Sequence, residues 1–452
     1  MLRFHDKEGF RAIRGTLLNP ISDTECALFK DGLVVAKKPG FEWIIQSIGP
    51  APTLATDYSW DLAQIPSNDG LILPAFYDLH FHWVQDDVRD LPKVSLLEWL
   101  EKYTFPEEAK YASLEFAEQK AKHFWKRILQ TGTIGGLCYS SIHQTALDAA
   151  MKYASKGFRI GNALMNMNCP DPLQQSPNES IASTAYGSSQ YGDRYCISPR
   201  FAPTTLPEVM KAGAQIAKEN GLFQQTHLCE THQEIDWVTS MYREKEGFED
   251  IETYTEIYNR CGMLGPKTVM GHSIHLSPQE WDLIAATETA IASCPTSNAP
   301  VDQLGLGSGL FDFTQAEKQL ESSGVRWALA SDIGGGPFLS MLDVMDSFVQ
   351  QNRAVDIPQA TYTKALYRST LAGAEILGFG KSKGNFAPGK SLDFIAFPRP
   401  FPAESDHTSE ELIASIIGKA AKRNEFDSLP STVVIEGKVV FSKQLQNTSS
   451  TT

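Results

Sequence analysis

Two histidines set two positions apart, His80 and His82 in DLHFHWVQ, are the first residues whose type and spacing could do chemistry. Along an extended strand side chains alternate between faces, so both imidazoles project to one side and a single metal ion could take both. The plainer alternative is a pair of histidines satisfied by backbone carbonyls. Farther along, His227 in QTHLCET, His272 in VMGHSIH and Asp332 in ALASDIGGG each close a short apolar run. Three imidazoles and a carboxylate suit Zn²⁺ or Fe²⁺ and leave room for a water, which is the chemistry of a hydrolytic centre. Glu230, three residues past His227, either carries protons beside that water or caps the next helix from its THQE setting. Asp332 could ligate the metal and accept the water's proton, and His272 could ligate or hydrogen-bond the activated water. His275 reads as a loop histidine, and His5, His123, His143, His232 and His407 as structural or solvated.

Gly334, Gly335 and Gly336 follow Asp332, but no GK[ST] comes after them, which excludes a nucleotide P-loop. Small residues there let the backbone turn sharply beside the site. The HxE and PCxxC pair that holds zinc in cytidine deaminases is absent. Seven cysteines, scattered without a CxxC pair, argue against thiolate-held structural zinc and for a reducing, cytoplasmic setting.

Residues this far apart need elements that deliver them to one place. Compact apolar runs at 71–82, 132–141, 158–168, 194–201, 222–228, 267–272, 288–294 and 326–332 read as eight strands. Helical patterns such as 207–219 and 313–323 separate them, which predicts an α/β fold closed as a (β/α)8 TIM barrel over 71–387. Active sites of such barrels lie at the strand C-termini, where the histidines and Asp332 fall. Residues 1–70 and 388–445 have strand texture, with turn signals at Pro388-Gly389 and Glu436-Gly437. They predict a small discontinuous β-sandwich domain built from both chain ends, followed by a flexible polar tail over 446–452.

The 452 residues are 42% hydrophobic, enough to bury a large core, which excludes disorder as the main state. Lys and Arg total 40 against 54 Asp and Glu, a net charge of −14 that repels phosphate backbones and excludes nucleic acid or an anionic membrane as partner. The opening MLRFHDKEGF predicts no signal peptide, and no apolar run approaches the ~18 residues of a membrane span.

With PAFYDLHFHWVQ, SPRFAPT, QTHLCET, MGHSIHLS, SCPTSN, LGSGLFDF, SDIGGG and GNFAPGK in this order, the chain resembles the amidohydrolase superfamily, and within it the branch that deaminates guanine. The resemblance runs from about Leu71 to Phe394. It implies that His80, His82, His227 and Asp332 hold one divalent metal, usually zinc, with Glu230 and His272 flanking the activated water. It further implies that Gln85, Arg200 and Phe201 hold a purine, that guanine is hydrolysed to xanthine and ammonia, and that the chain forms a homodimer. Arg200 and Phe201 could otherwise be a surface ion pair and core packing. Pro74-Ala75 replaces the usual Pro-Gly before the HxH strand, Asn166 stands where an acidic residue is expected and Asn162 where a lysine is. The third-strand changes leave room for another ring, such as 8-oxoguanine, a pterin, cytosine or a triazine. A catalytically inactive scaffold is a more distant alternative. The lack of a bridging lysine in RYCISPRF favours one metal over two.

Overall fold

The computed structural model describes residues 2–93, 95–322, 325–398, 406–420 and 422–443; the tail expected at 446–452 lies outside them. The chain divides into two compact units, one of Met1–Tyr77, Arg127–Ile134 and Phe338–Thr452, the other of Asp78–Lys126 and Gly135–Pro337.

In the first unit, strands from both chain ends share one eight-stranded sheet. Its order is Lys438–Ser442, Thr432–Ile435, Phe394–Phe397, Ser67–Pro74, Phe10–Pro20, Cys26–Lys37 and Ile44–Pro50, with His5–Lys7 paired on Phe10–Pro20. The seam between the ends is antiparallel, Phe394 opposite Pro74 and Phe397 opposite Leu71. Ile13, Leu17, Val34, Ile72, Phe394 and Val434 pack its core. The Glu436-Gly437 turn closes a two-residue hairpin with both residues left-handed, φ 53° and 73°, the twist that such hairpins need. The apolar run expected as one strand over 71–82 is two, because Pro74 has no N–H to continue a ladder and ends the first.

The second unit is mixed α/β with parallel strands, which we number β1 (Phe76–His82), β2 (Thr133–Ser140), β3 (Gly157–Asn162), β4 (Cys196–Ile197), β5 (Phe223–Leu228), β6 (Thr268–His272), β7 (Ala290–Ser293) and β8 (Trp327–Leu329), the first two residues of β1 and of β2 being counted with the first unit. Strands β1-β2-β3 form one sheet and β8-β7-β6-β5-β4 a second. Nearly every residue in them is buried, as expected of parallel strands covered on both faces. Parallel bridges Ile160–Tyr195 and Leu164–Pro199 link the β3 and β4 segments. Past β8, the Asp332 N–H donates to the His80 carbonyl and the His82 N–H to the Ile333 carbonyl, each at 2.8 Å. Helices Pro177–Tyr191, His232–Arg243 and Pro278–Ala286 begin at capping boxes, Ser176 with Glu179, Thr231 with Glu234 and Ser277 with Glu280. Among the described residues no helix is long and apolar enough to cross a membrane.

Candidate active site

The C-terminal ends of the parallel strands carry the predicted residues to one place. His80 and His82 share a face of β1, His227 lies near the end of β5, His272 closes β6 and Asp332 follows β8. One donor atom from each of His80, His82, His227 and Asp332 lies within 4.8 Å of the others. His82 Nε2 is 3.1 Å from His227 Nε2, and Asp332 Oδ1 is 3.5 Å from His80 Nε2 and 3.4 Å from His82 Nε2. Ligands about 2.1 Å from a tetrahedral ion stand about 3.4 Å from one another, so these separations fit donors converging on one cation. His80 Nε2 is buried without a hydrogen-bond partner. His227 gives its Nδ1 proton to the Arg200 carbonyl, 2.6 Å away, which turns its Nε2 lone pair to the cluster.

The electrostatics suit the same role. Burial pushes His80 down to about 4 against the pull of Asp332, lowers His82 likewise, and takes His227 well below the usual imidazole range with His80 and His82 adding to the effect. The imidazoles are therefore neutral, the form that ligates. Burial pushes Asp332 upward, but His80 and His82 outweigh it and hold its carboxylate ionised. A second grouping, His80, His272 and Cys294, is weaker, because burial raises the Cys294 thiol and keeps it protonated.

Backbone strain and close packing hold the cluster. Asp332 and His272 are left-handed at φ 47° and 63°, each costing about 1–3 kcal/mol that the surroundings must offset. Asp78 supplies part of that hold. Its Oδ1 accepts the Ser331 N–H at 3.0 Å and the His80 N–H at 3.3 Å, and its Oδ2 accepts the Ser331 hydroxyl. Burial pushes the Asp78 carboxyl up to about 7, with the Ser331 hydrogen bonds pulling back. Tyr139 stacks on the His82 ring, centroids 4.6 Å apart. At Gly271 a Cβ would lie 2.5 Å from His80 Cε1, so β6 can approach the ring only as glycine.

Beside the donors, Glu230 is 98% buried, with Oε2 3.6 Å from His272 Nε2 and Oε1 accepting the Ser308 hydroxyl at 3.1 Å. The helix cap is made by Thr231 and Glu234, so Glu230's side chain is free of that job. Burial lifts its carboxyl to about 7, Asp332 adding and His272 opposing. His272 shares Nδ1 with Asn298 Oδ1 at 2.9 Å, and although burial works to lower its pKa, the facing Glu230 and Asp332 carboxylates raise it. His275 bonds the Ser308 carbonyl, a loop role.

A pocket of about 380 Å³, its mouth included, opens over the cluster and is lined by Gln85, Arg200 and Phe201 as well as Glu230, His272 and Asp332, with Trp99, Leu100 and Leu306 as apolar walls. Gln85 Nε2 and Arg200 Nη1 both donate to Glu108 Oε1, at 2.8 and 2.7 Å. Asn162 and Asn166 do not line the pocket; their amides bond backbone carbonyls of Ser141 and Gln175. Asp78, Glu108, Tyr139, Asn298 and Ser308 went unread in the sequence. Asp78 could have been found by alternation, two residues before His80, and Ser308 and Asn298 sit inside quoted motifs; Glu108 has no such signal.

The model of the Amidohydrolase family matches residues 71–440. Guanine deaminase of Escherichia coli is 32% identical over 402 residues, covering 85% of this chain and 87% of that protein. The solved structure of E. coli guanine deaminase aligns with a TM-score of 0.83 at 29% identity over 96% of this chain and 99% of that one. Guanine deaminase from C. acetobutylicum, solved with guanine in its active site, aligns at 0.81 with 25% identity over 96% and 100%. By sequence and fold alike, the chain is a member of the amidohydrolase family.

Proposed function

We propose that this chain catalyses the metal-dependent hydrolysis of guanine to xanthine and ammonia. The observation that carries the reading is the convergence of four buried donors, all within 4.8 Å of one another, beneath a pocket flanked by Glu230 and His272. His80, His82, His227 and Asp332 would hold one divalent ion, Zn²⁺ by preference and Fe²⁺ as the alternative. Bound there, such an ion makes hydroxide available from water near neutral pH. Asp332 accepts the water's proton. Glu230 gives its proton to ring N3, is reprotonated with the proton that Asp332 took from the water and passes it to the departing amine, while the added hydroxyl returns its proton to Asp332 as the C2 carbonyl forms; His272, held by Asn298, donates a hydrogen bond to the oxygen added at C2 as that carbon becomes tetrahedral. Gln85 and Arg200 hydrogen-bond the purine and Phe201 packs on it.

The two parallel sheets form a (β/α)8 barrel in this reading, supported by the β3–β4 bridges and by the hydrogen bonds between the segment after β8 and β1. The sheet of the chain ends would fold over as a sandwich at its bulges, between Gly15 and Leu17 and between Val35 and Ala36. A cytoplasmic homodimer completes the proposal. The test is ammonia release from guanine by purified protein, lost with a chelator and restored by Zn²⁺; a metal-loaded protein inert toward guanine would overturn it.

A further inference from the structure

We propose that Glu108 sets the hydrogen-bonding polarity of the pocket by fixing which way the Gln85 amide faces, and thereby restricts the enzyme to rings that present an N–H beside a carbonyl. The inference rests on the reading of this pocket as the purine site. Glu108 is fully buried and does not line the pocket, so it acts through its neighbours as a positioning residue. A carboxylate can only accept, and its Oε1 takes hydrogen bonds from both Gln85 Nε2 and Arg200 Nη1. With one N–H of its amide held by Glu108, Gln85 is fixed in one of its two flip orientations, and the carbonyl oxygen that this orientation offers to a ligand has no partner among the described residues. Arg200 carries donors alone. Side by side, an acceptor and a donor complement a lactam edge, which in guanine is N1–H next to C6=O. A ring with a bare nitrogen beside an amino group would set a lone pair against the Gln85 oxygen and an amine against the guanidinium, repulsive at both points. Among the described residues no side chain other than Glu108 holds the Gln85 amide, so without it the amide could rotate and one of the two rejections would vanish.

The test compares guanine with 2,6-diaminopurine, which keeps the C2 amine but carries the opposite edge, in the full-length zinc-loaded chain. Glu108→Leu removes the acceptor. Glu108→Asp keeps a charge for Arg200 but retracts it by one methylene from Gln85, so it remains informative if the leucine variant fails to fold. In both, the ratio of kcat/KM for guanine over 2,6-diaminopurine is expected to fall about tenfold or more. Glu108→Gln, whose carbonyl can still accept both bonds, should restore that ratio to within about threefold. Folded variants that lose both substrates in proportion would overturn the proposal and leave Glu108 as a counter-charge for Arg200. Wild-type protein inert toward guanine would overturn the underlying reading along with it.

Discussion

Each oxygen of the Glu230 carboxylate faces a different neighbour, Ser308 on one side and His272 on the other, in a setting that lifts its pKa to about 7. Glu230→Gln keeps the shape and removes the proton, so kcat is expected to fall about 10²–10⁴-fold while metal content, read by emission spectroscopy, stays that of wild type. The sign of the pH dependence follows from the same group. In the proposed reaction the protonated form serves N3, and a raised pKa keeps that form present at neutrality, so kcat should decline as pH rises through about 7. A rate that keeps climbing well above neutrality would remove Glu230 as the acid. Gly271→Ala tests the proposed metal ligands from the side. The added methyl meets the His80 ring, and a displaced ligand should cost about 10–100-fold in Zn²⁺ affinity measured by chelator competition.

Strands and helices differ in how much of their job is local. Capping boxes at Ser176, Thr231 and Ser277 are written in four-residue motifs, and THQE was legible as a helix start although not as Thr231's and Glu234's work rather than Glu230's. The HxH pair was equally legible, because alternation along β1 is a property of any strand. The hairpin at Glu436-Gly437 is local too, but its first residue fits poorly: glutamate resists the left-handed φ of 53° that the turn imposes. Glu436→Asn should therefore raise Tm by about 1–3 °C in thermal unfolding, since asparagine tolerates that conformation and the 3.8 Å contact with Lys383 is worth little.

Across the whole molecule, the site is a statement about distant segments. His80, His227 and Asp332 come from β1, β5 and the turn after β8, so an ion bound by all three joins pieces that an unfolded chain holds apart. Chelation is expected to lower Tm by on the order of 5–10 °C, with recovery on adding Zn²⁺; an unchanged Tm would mean that the donors hold no ion. Residue type, strand periodicity and motif order, all local or one-dimensional, were enough to nominate the candidate donors and Glu230, which the fold brings to one place, and to mark the alternation of strands and helices. Folding alone decided the left-handed backbone at His272 and Asp332, the Asp78 clamp on Ser331 and the burial that keeps three imidazoles neutral. It also placed Glu108 against Gln85 and Arg200, a meeting of residues up to 92 positions apart that no spacing rule anticipates, because such contacts depend on which strands become neighbours and how deeply they are covered.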